Sequence, residues 1–254
     1  LGYPTTGVVT LSDGGQYQNF QNGAIIWNKA TGAQVSLNGP IRTAWQASGF
    51  QTGPLGYPTT GVVTLSDGGQ YQNFQNGAII WSQTTGAQVS LNGPVRSYWL
   101  NSGAQQGTFG YPTSGLVSGL TGGGSYQNFQ NGALLWTQAT GVEPSPNGPI
   151  RTAWLTSGAE KGPLAYPTTD VVTGLVNGGT YQNYQNGAII WSQASGAQLS
   201  PNGPIRTYWL NSGAERGRYG YPTSGQTCNS AATSCSQSFQ SGTISWSSTS
   251  GIKG

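Results

Sequence analysis

Four kinds of side chain that could recognise a ligand recur along the sequence at nearly constant spacing: a tryptophan, a glutamine, an arginine and a tyrosine. The tryptophans and glutamines are Trp27, Gln18, Trp81, Gln72, Trp136, Gln127, Trp191, Gln182, Trp246 and Gln237. The arginines and tyrosines are Arg42, Tyr3, Arg96, Tyr57, Arg151, Tyr111, Arg206, Tyr166 and Tyr221. Aromatic rings stack on the C–H surfaces of sugars, planar amides and guanidinium groups reach sugar hydroxyls, and the rings of Tyr and Trp suit half-wet contacts. The pattern therefore indicates a repeated site for a polysaccharide.

Each of these residues also has a structural interpretation. The tryptophans would fill the interface between repeats, and each glutamine would bond the neighbouring backbone. The tyrosines precede proline and would anchor the connection between repeats. The arginine lies in the first turn of a predicted helix, where its charge opposes the helix dipole, so a carbonyl, an aromatic face or a ligand oxygen should compensate it. The sequence leaves both interpretations open.

Catalytic chemistry has little support. The chain has no histidine to act as a base or metal ligand, and its six Asp and Glu residues form no recurrent pair. Serine is abundant, but a nucleophilic serine needs a base to activate it, and none is in view. A single carboxylate pair between repeats, as in glycosidases, is the catalytic alternative. We expect no enzyme activity, no cofactor and no metal.

The composition narrows the class of partner and the compartment. Only 6% of residues are charged, and the nine basic residues are spread along the chain, so nucleic-acid binding is not expected. No apolar run approaches the length of a membrane span, so we expect no membrane insertion. The chain begins with Leu and has no Met, which we interpret as a mature product or a fragment. Cys228 and Cys235 predict a disulfide and an oxidising, extracellular setting, with free thiols as the alternative.

The whole chain consists of five copies of one unit. The sequence Tyr-Pro-Thr opens each copy, at steps of 54, 54, 55 and 55 residues. Such a period indicates supersecondary units that bury their apolar faces against their neighbours. We therefore predict a single domain of five repeats. Their boundaries are 1–54, 55–108, 109–163, 164–218 and a truncated 219–254.

The first repeat predicts a β-meander followed by a short helix. Residues 6–10 predict a strand, and "QYQNFQNGAIIW" predicts a hairpin that turns at Asn22-Gly23. A weaker strand at 33–36 extends the meander. Residues 38–49 change to a helical period, which recurs at 92–103, 147–158 and 202–213 but is absent from the fifth repeat.

The expected ends of this helix follow from three residues. Asn38 is the predicted N-cap, Pro40 suits the first turn, and Gly49 lies where a left-handed residue ends a helix. The helix tryptophans are predicted to lie in the core. They are Trp45, Trp99, Trp154 and Trp209.

The hairpin has two faces, which the fifth repeat distinguishes. The first face carries Gln18, Phe20, Ile25 and Trp27, with Phe20 expected opposite Ile25 and Gln18 opposite Trp27. The second face carries Tyr17, Asn19 and Ile26. The fifth repeat keeps the first-face residues, whereas its second face becomes Ser236, Ser238 and Ser245. Because that repeat has no helix, we predict that the second face packs under the helix of its own repeat.

The recurring sequence "LGYPTT…GGQYQNFQNGAIIW…TGAQV…NGPIRTAWQASG…GPLGYPT" resembles the LGFP repeat of secreted actinobacterial and some fungal proteins. The resemblance covers all 254 residues. It implies a β-rich α+β repeat protein whose five units adopt a pseudo-fivefold, propeller-like arrangement. LGFP arrays accompany cell-wall hydrolases, esterases and mycoloyltransferases, and are thought to hold them on wall polysaccharide, arabinogalactan in mycolate-containing bacteria. Two departures are Ala165 in "LAYPT" and the scarcity of the family's charged residues.

These observations predict a secreted or cell-wall-associated protein that binds polysaccharide at several equivalent weak sites and is not catalytic. One alternative is a structural or surface-assembly protein whose aromatic faces pack subunits together and whose fifth helix comes from another chain. The other is the wall-anchoring part of a secreted hydrolase.

Overall fold

The computed structural model describes residues 1–254, and internal contacts divide the chain into two compact units. The first unit comprises Leu1–Ser118 and Ser125–Leu134, and the second comprises Gly119–Gly124 and Leu135–Gly254. Five antiparallel sheets, one in each repeat, and four α-helices make up the regular structure, and the fifth repeat has no helix, as predicted. No helix is long and apolar enough to cross a membrane.

Each repeat contributes three or four consecutive strands. The first repeat contains β1 (Val9–Thr10), β2 (Gln16–Phe20), β3 (Gly23–Asn28) and β4 (Gly32–Leu37). The second contains β5 (Val63–Thr64), β6 (Gln70–Phe74), β7 (Gly77–Ser82) and β8 (Gly86–Leu91). The third contains β9 (Val117–Ser118), β10 (Ser125–Phe129), β11 (Gly132–Thr137) and β12 (Gly141–Pro146). The fourth contains β13 (Thr180–Tyr184), β14 (Gly187–Ser192) and β15 (Gly196–Pro201). The fifth contains β16 (Thr227–Cys228), β17 (Ser234–Phe239), β18 (Gly242–Ser247) and β19 (Gly251–Lys253).

Each of the first four repeats continues into a short helix and a 3-10 turn. The helices are α1 (Pro40–Ala47), α2 (Pro94–Asn101), α3 (Pro149–Thr156) and α4 (Pro204–Asn211). The 3-10 turns are Phe50–Thr52, Ala104–Gln106, Ala159–Lys161 and Ala214–Arg216. Pro40 opens α1 as expected, and Gly49 ends it with a φ of 94°, a left-handed conformation that glycine adopts without strain.

The predicted N-cap of this helix is wrong. The capping position belongs to Gly39, with no side-chain cap hydrogen bond. Asn38 instead directs its amide to the hairpin, where Nδ2 donates to the Gln21 carbonyl oxygen at 3.2 Å. The side chain therefore ties the helix start to the hairpin turn.

The predicted hairpin register is also wrong, by two residues. Phe20 pairs with Gly23, Gln18 with Ile25, and Gln16 with Trp27, so the turn is Gln21-Asn22. Because side chains alternate with a period of two, a slip of two residues leaves every side chain on its predicted face. The two faces are therefore as expected, whereas Gln18 and Trp27 are diagonal rather than direct neighbours.

Each helix packs between two consecutive sheets. In the first unit, one apolar cluster contains Ala24 and Ile26 from the second face of the first sheet, with Ile41 and Trp45 from α1. The same cluster contains Phe74 and Ile79 from the first face of the second sheet. The predicted packing of the second face under its own helix is confirmed, and the helix also covers the first face of the next sheet. The four helix tryptophans are buried, as predicted.

The fifth repeat follows the same rule with one side left open. Its first-face residues Phe239 and Ile244 are buried in a cluster with Ile205 and Trp209 of α4. Its second face has no helix of its own to cover it, and Ser236 is exposed. The predicted disulfide forms between Cys228 and Cys235, which are direct partners of β16 and β17. The bond crosslinks the hairpin of this repeat.

Candidate functional site

The recurrent glutamines of the first face are buried and bonded to backbone in every repeat after the first. Nε2 of Gln72 donates to the Thr60 carbonyl at 2.8 Å and to the Val35 carbonyl of the preceding repeat at 3.2 Å. Gln127, Gln182 and Gln237 repeat this pair of bonds with Val89 and Ser114, Pro144 and Thr169, and Leu199 and Ser224. Gln18 donates to the Thr6 carbonyl alone. These contacts favour the structural interpretation, since buried amides are normally bonded within the protein.

The tryptophans of the first face are less enclosed than the glutamines. Trp27 is 38% exposed. The other members of this set are half-buried. They are Trp81, Trp136, Trp191 and Trp246. The structure thus places the tryptophan and glutamine of each repeat on one face, but in the second to fifth repeats it removes the glutamine from solvent.

In the second to fifth repeats, the hydroxyl of the tyrosine before proline donates a hydrogen bond to the preceding repeat. We call this contact the tyrosine latch. The Tyr57 hydroxyl donates to the Asp13 carboxylate at 2.7 Å, and Tyr111 repeats this bond with Asp67. Tyr166 and Tyr221 donate instead to the backbone carbonyls of Thr121 and Val176. Gly15 is required here because a Cβ would lie 1.9 Å from the Tyr57 hydroxyl oxygen. Tyr3, the equivalent residue of the first repeat, is 79% exposed.

The recurrent arginine of the first repeat lies in a cavity rather than at the contact between repeats. Arg42 lines a cavity of about 310 Å³ between the second face of the first sheet and α1. Its Nη2 donates to Asn19 Oδ1 at 3.4 Å, its Cζ lies 5.9 Å from the Phe50 ring centroid, and its Nη1 is buried without a hydrogen-bond partner. Burial lowers the pKa of this guanidinium below the usual arginine value. Arginine stays charged in proteins, so the cavity contains a cation.

The same cavity occurs in the second and fourth repeats. Their volumes are about 340 and 350 Å³. The three cavities share five kinds of wall residue: a leucine, a tyrosine, an asparagine, an arginine and a tryptophan. In the first repeat these are Leu11, Tyr17, Asn19, Arg42 and Trp45. In the other two they are Leu65, Tyr71, Asn73, Arg96 and Trp99, and Leu175, Tyr181, Asn183, Arg206 and Trp209.

Arg151 of the third repeat has a different set of neighbours. Its Nη1 donates to the hydroxyl of Ser145 at 3.1 Å and to the Ser145 carbonyl at 3.4 Å. Arg42, Arg96 and Arg206 therefore line the cavities described above, whereas Arg151 bonds within its own repeat.

Sequence reasoning missed the tyrosine and asparagine of the second face as ligand candidates. Tyr17 packs against the apolar cluster beneath α1, Asn19 accepts a hydrogen bond from Arg42, and both side chains line the cavity. A signal was present, because Ser236 and Ser238 replace this tyrosine and asparagine in the fifth repeat, in which residues 219–254 contain no helix. A repeat without the helix has neither the packing surface nor the cavity. The two serines are therefore explained equally well by the absence of a binding site and by the absence of packing.

One carboxylate has an unusual environment. Burial, and then the charge of Asp170, raise the pKa of Glu143 to about 6. The pair occurs in one place only, and no group of three or more His, Cys, Asp or Glu side chains is positioned to hold a metal. This pair does not recur with the repeat.

The chain belongs to the LGFP repeat family, which matches it five times. The matched residues are 1–53, 55–107, 109–162, 164–217 and 220–253. The family is a repeat domain, in agreement with the five sheets. A comparison with curated proteins finds no match.

Comparison with solved structures gives only distant similarity. One neighbour is an extracellular domain from a one-component system of B. thetaiotaomicron, with 11% identity, a TM-score of 0.17, and coverage of 99% of this chain and 27% of that chain. Another is a catalytically inactive virginiamycin B lyase from Staphylococcus aureus, with 12% identity, a TM-score of 0.15, and coverage of 97% and 67%. TM-scores this low carry no argument about fold or function.

Proposed function

We propose that this chain is a secreted, non-catalytic protein that binds extracellular or cell-wall polysaccharide at several equivalent sites. The observation that carries the proposal is the cavity repeated in the first, second and fourth repeats, with the same five kinds of wall residue. A volume of this size is at the lower end of small-ligand sites, which suits one or two sugar units. The disulfide and the family resemblance support an extracellular or wall-associated location.

The residues that line the cavities are suited to binding a sugar. The tyrosine ring offers a flat apolar surface with a polar edge, and the asparagine amide offers both a donor and an acceptor to hydroxyls. Three weak sites on one chain would act together on a polymer, because the second contact forms at high effective concentration. The family resemblance adds arabinogalactan as a ligand class and a propeller-like arrangement of the repeats, and both belong to this proposal.

The test is retention on insoluble cell-wall fractions and on immobilised arabinogalactan. The site variant is Asn19→Ala, Asn73→Ala and Asn183→Ala together, which removes one amide from each cavity. The matched control is Asn22→Ala, Asn76→Ala and Asn186→Ala, the exposed asparagines of the same three hairpins. We expect the site variant to lose about tenfold or more in affinity while the control is retained like the wild type. Unchanged retention of a folded site variant would contradict the proposed site.

A second candidate function is assembly between copies of the chain. It is favoured by apolar side chains exposed on the first sheet, among them Tyr3, Trp27 and Leu37. Light scattering over a range of concentrations tests it. A monodisperse monomer at high concentration would contradict assembly and leave polysaccharide binding as the function.

A further inference from the structure

The arginines of the three cavities form no salt bridge. The salt bridge between Arg216 and Glu215 includes none of them. Nη1 is buried without a hydrogen-bond partner in Arg42, Arg96 and Arg206 alike. Their guanidinium groups have few neutral acceptors, and the bonds from Arg42 and Arg206 to asparagine Oδ1 are long, at 3.4 Å in both repeats.

A buried N–H donor of a cation that has no acceptor is unfavourable, and proteins normally pair or hydrogen-bond such a group. The same arrangement in three repeats makes an accidental local defect a poor explanation. An oxygen that enters the cavity would satisfy the free donor, and an anionic oxygen would also neutralise the charge. The guanidinium fork matches carboxylate and phosphate groups especially well, because two N–H donors reach two oxygens at once.

We propose that each of the three cavities binds an anionic sugar, and that the arginine pairs with its carboxylate or phosphate group. The inference rests on the proposed function, because it names the class of polysaccharide that the same sites prefer. The asparagine amide would bond an adjacent hydroxyl, and the tyrosine ring would contact the sugar face. The preferred polymer is therefore acidic, rich in uronic acid or sugar phosphate, rather than neutral.

The three cavities are not equally suited to an anion. Gln51 and Gln105 line the cavities of the first and second repeats, whereas Glu215 occupies the corresponding position of the fourth. The Glu215 side chain is only 9% exposed, and its single ion pair is with the largely exposed Arg216 at 3.4 Å. A carboxylate already in the wall repels an anionic ligand. The first two cavities should therefore bind it more tightly than the fourth.

Calorimetric titration of the full-length chain with three probes tests the proposal. The probes are a short oligogalacturonate, the same oligosaccharide after reduction of its carboxyl groups, and a phosphorylated mannan oligosaccharide. We expect an acidic probe to bind at least about tenfold more tightly than the reduced one, since a charge-assisted hydrogen bond is at issue. Its affinity should fall as salt is raised. The better of the two acidic probes identifies carboxylate or phosphate as the source.

Two sets of variants assign the effect to the cavities. Arg42→Gln, Arg96→Gln and Arg206→Gln together should abolish the preference for acidic probes. Should that variant not fold, substitutions at Gln51, Gln105 and Glu215 test the proposal, because they keep all three arginines. Gln51→Glu with Gln105→Glu should weaken binding of the acidic probe, with Gln51→Ala and Gln105→Ala as the uncharged control, and Glu215→Gln should strengthen it.

The outcomes separate the two proposals. Equal binding of the acidic and reduced probes would overturn the anionic preference while leaving polysaccharide binding intact. An acidic preference that survives both sets of variants would overturn the role of the arginines. If none of the probes binds and no wall polysaccharide retains the protein, the proposed function itself fails.

Discussion

The first and second repeats begin with identical sequences and end in different environments. Residues 1–27 and 55–81 agree letter for letter. Tyr57 is 4% exposed, whereas Tyr3 is 79% exposed, and Ile79 is fully buried, whereas Ile25 is half-buried. In the structure, α1 packs on the first face of the second copy, whereas no helix packs on the first face of the first copy. Identical residues therefore have different structural roles according to the helix that covers them.

The comparison shows what each face of the hairpin does. The second face meets the helix of its own repeat in both copies, and a cavity forms there in both. The first face is buried only where a preceding helix reaches it. The cavity lined by a leucine, a tyrosine, an asparagine, an arginine and a tryptophan is therefore a feature that the two copies share, whereas the burial of the first face is not.

The largest expected difference between the two copies concerns phenylalanine. Phe74 is buried, and its ring centroid lies 5.5 Å from that of Trp45, whereas Phe20 is half-buried and has no helix above it. Phe74→Ala should lower the free energy of unfolding by about 3–5 kcal/mol, and Phe20→Ala by much less. Urea unfolding of both variants measures this. Equal losses would contradict the conclusion that α1 covers the first face of the second sheet.

The buried glutamine should give the next largest difference. Gln72→Ala leaves the Thr60 and Val35 carbonyls without their donor at a buried position, which should cost about 1–3 kcal/mol. Gln18→Ala removes one bond in a half-buried setting, so the cost should be below about 1 kcal/mol. Chemical denaturation of the pair checks both values. A larger loss from Gln18→Ala would mean that the repeats are not joined through this amide.

The tyrosine latch predicts a pH dependence at both ends of the scale. The hydrogen bond from Tyr57 lowers the pKa of Asp13 below its ordinary value of 3.8, so its stabilisation is full above that value and is lost as the pH falls through the folded-state pKa. Burial, and then Asp13, raise the pKa of Tyr57 from 10.0 to about 12, so stability is also lost as the pH rises through that range.

Tyr57→Phe should therefore flatten both limbs of the stability profile, which thermal unfolding at a series of pH values measures. Tyr3→Phe is the matched control, because the Tyr3 side chain is 79% exposed and its hydroxyl bonds no carboxylate. If the two variants have the same profile, the latch does not contribute to stability.

The smallest effect is expected at the exposed tyrosine itself. Tyr3→Ser removes a side chain that is 79% exposed, so the free energy of unfolding should change by no more than about 0.5 kcal/mol. Thermal unfolding beside the wild type checks this. A larger loss would show that the first face of the first repeat is covered in solution.

The sequence was sufficient for features that depend on local pattern. The period predicted five repeats, the change to a helical period predicted four helices, and the proline and glycine at the helix ends lie as expected. The turn was misplaced because Asn22-Gly23 resembles a hairpin turn. Gly23 is instead a strand residue with a φ of 154°, where a Cβ would lie 2.5 Å from the Ser36 carbonyl oxygen. Its lack of a side chain permits close approach rather than a turn.

The features that sequence reasoning missed depend on contacts between distant residues. Nothing in the sequence of residues 55–81 shows that α1 covers their first face, because the same letters occur uncovered in residues 1–27. The cavity was missed for a related reason. A side chain that packs against a helix on one edge and lines a cavity on the other has the same period as one that only packs.

The most direct test of the account is a titration followed by two-dimensional ¹⁵N–¹H NMR of the indole N–H signals. Oligogalacturonate and an arabinogalactan oligosaccharide serve as parallel ligands, and single Trp→Phe variants assign the signals. Trp45, Trp99 and Trp209 line the cavities, whereas Trp27 and its equivalents lie on the first face. We predict that the signals of Trp45, Trp99 and Trp209 shift saturably, and more strongly with the acidic ligand. The signals of the first-face tryptophans should not shift. These are Trp27, Trp81, Trp136, Trp191 and Trp246. Shifts confined to the first-face tryptophans would contradict the account and restore that face as the binding site.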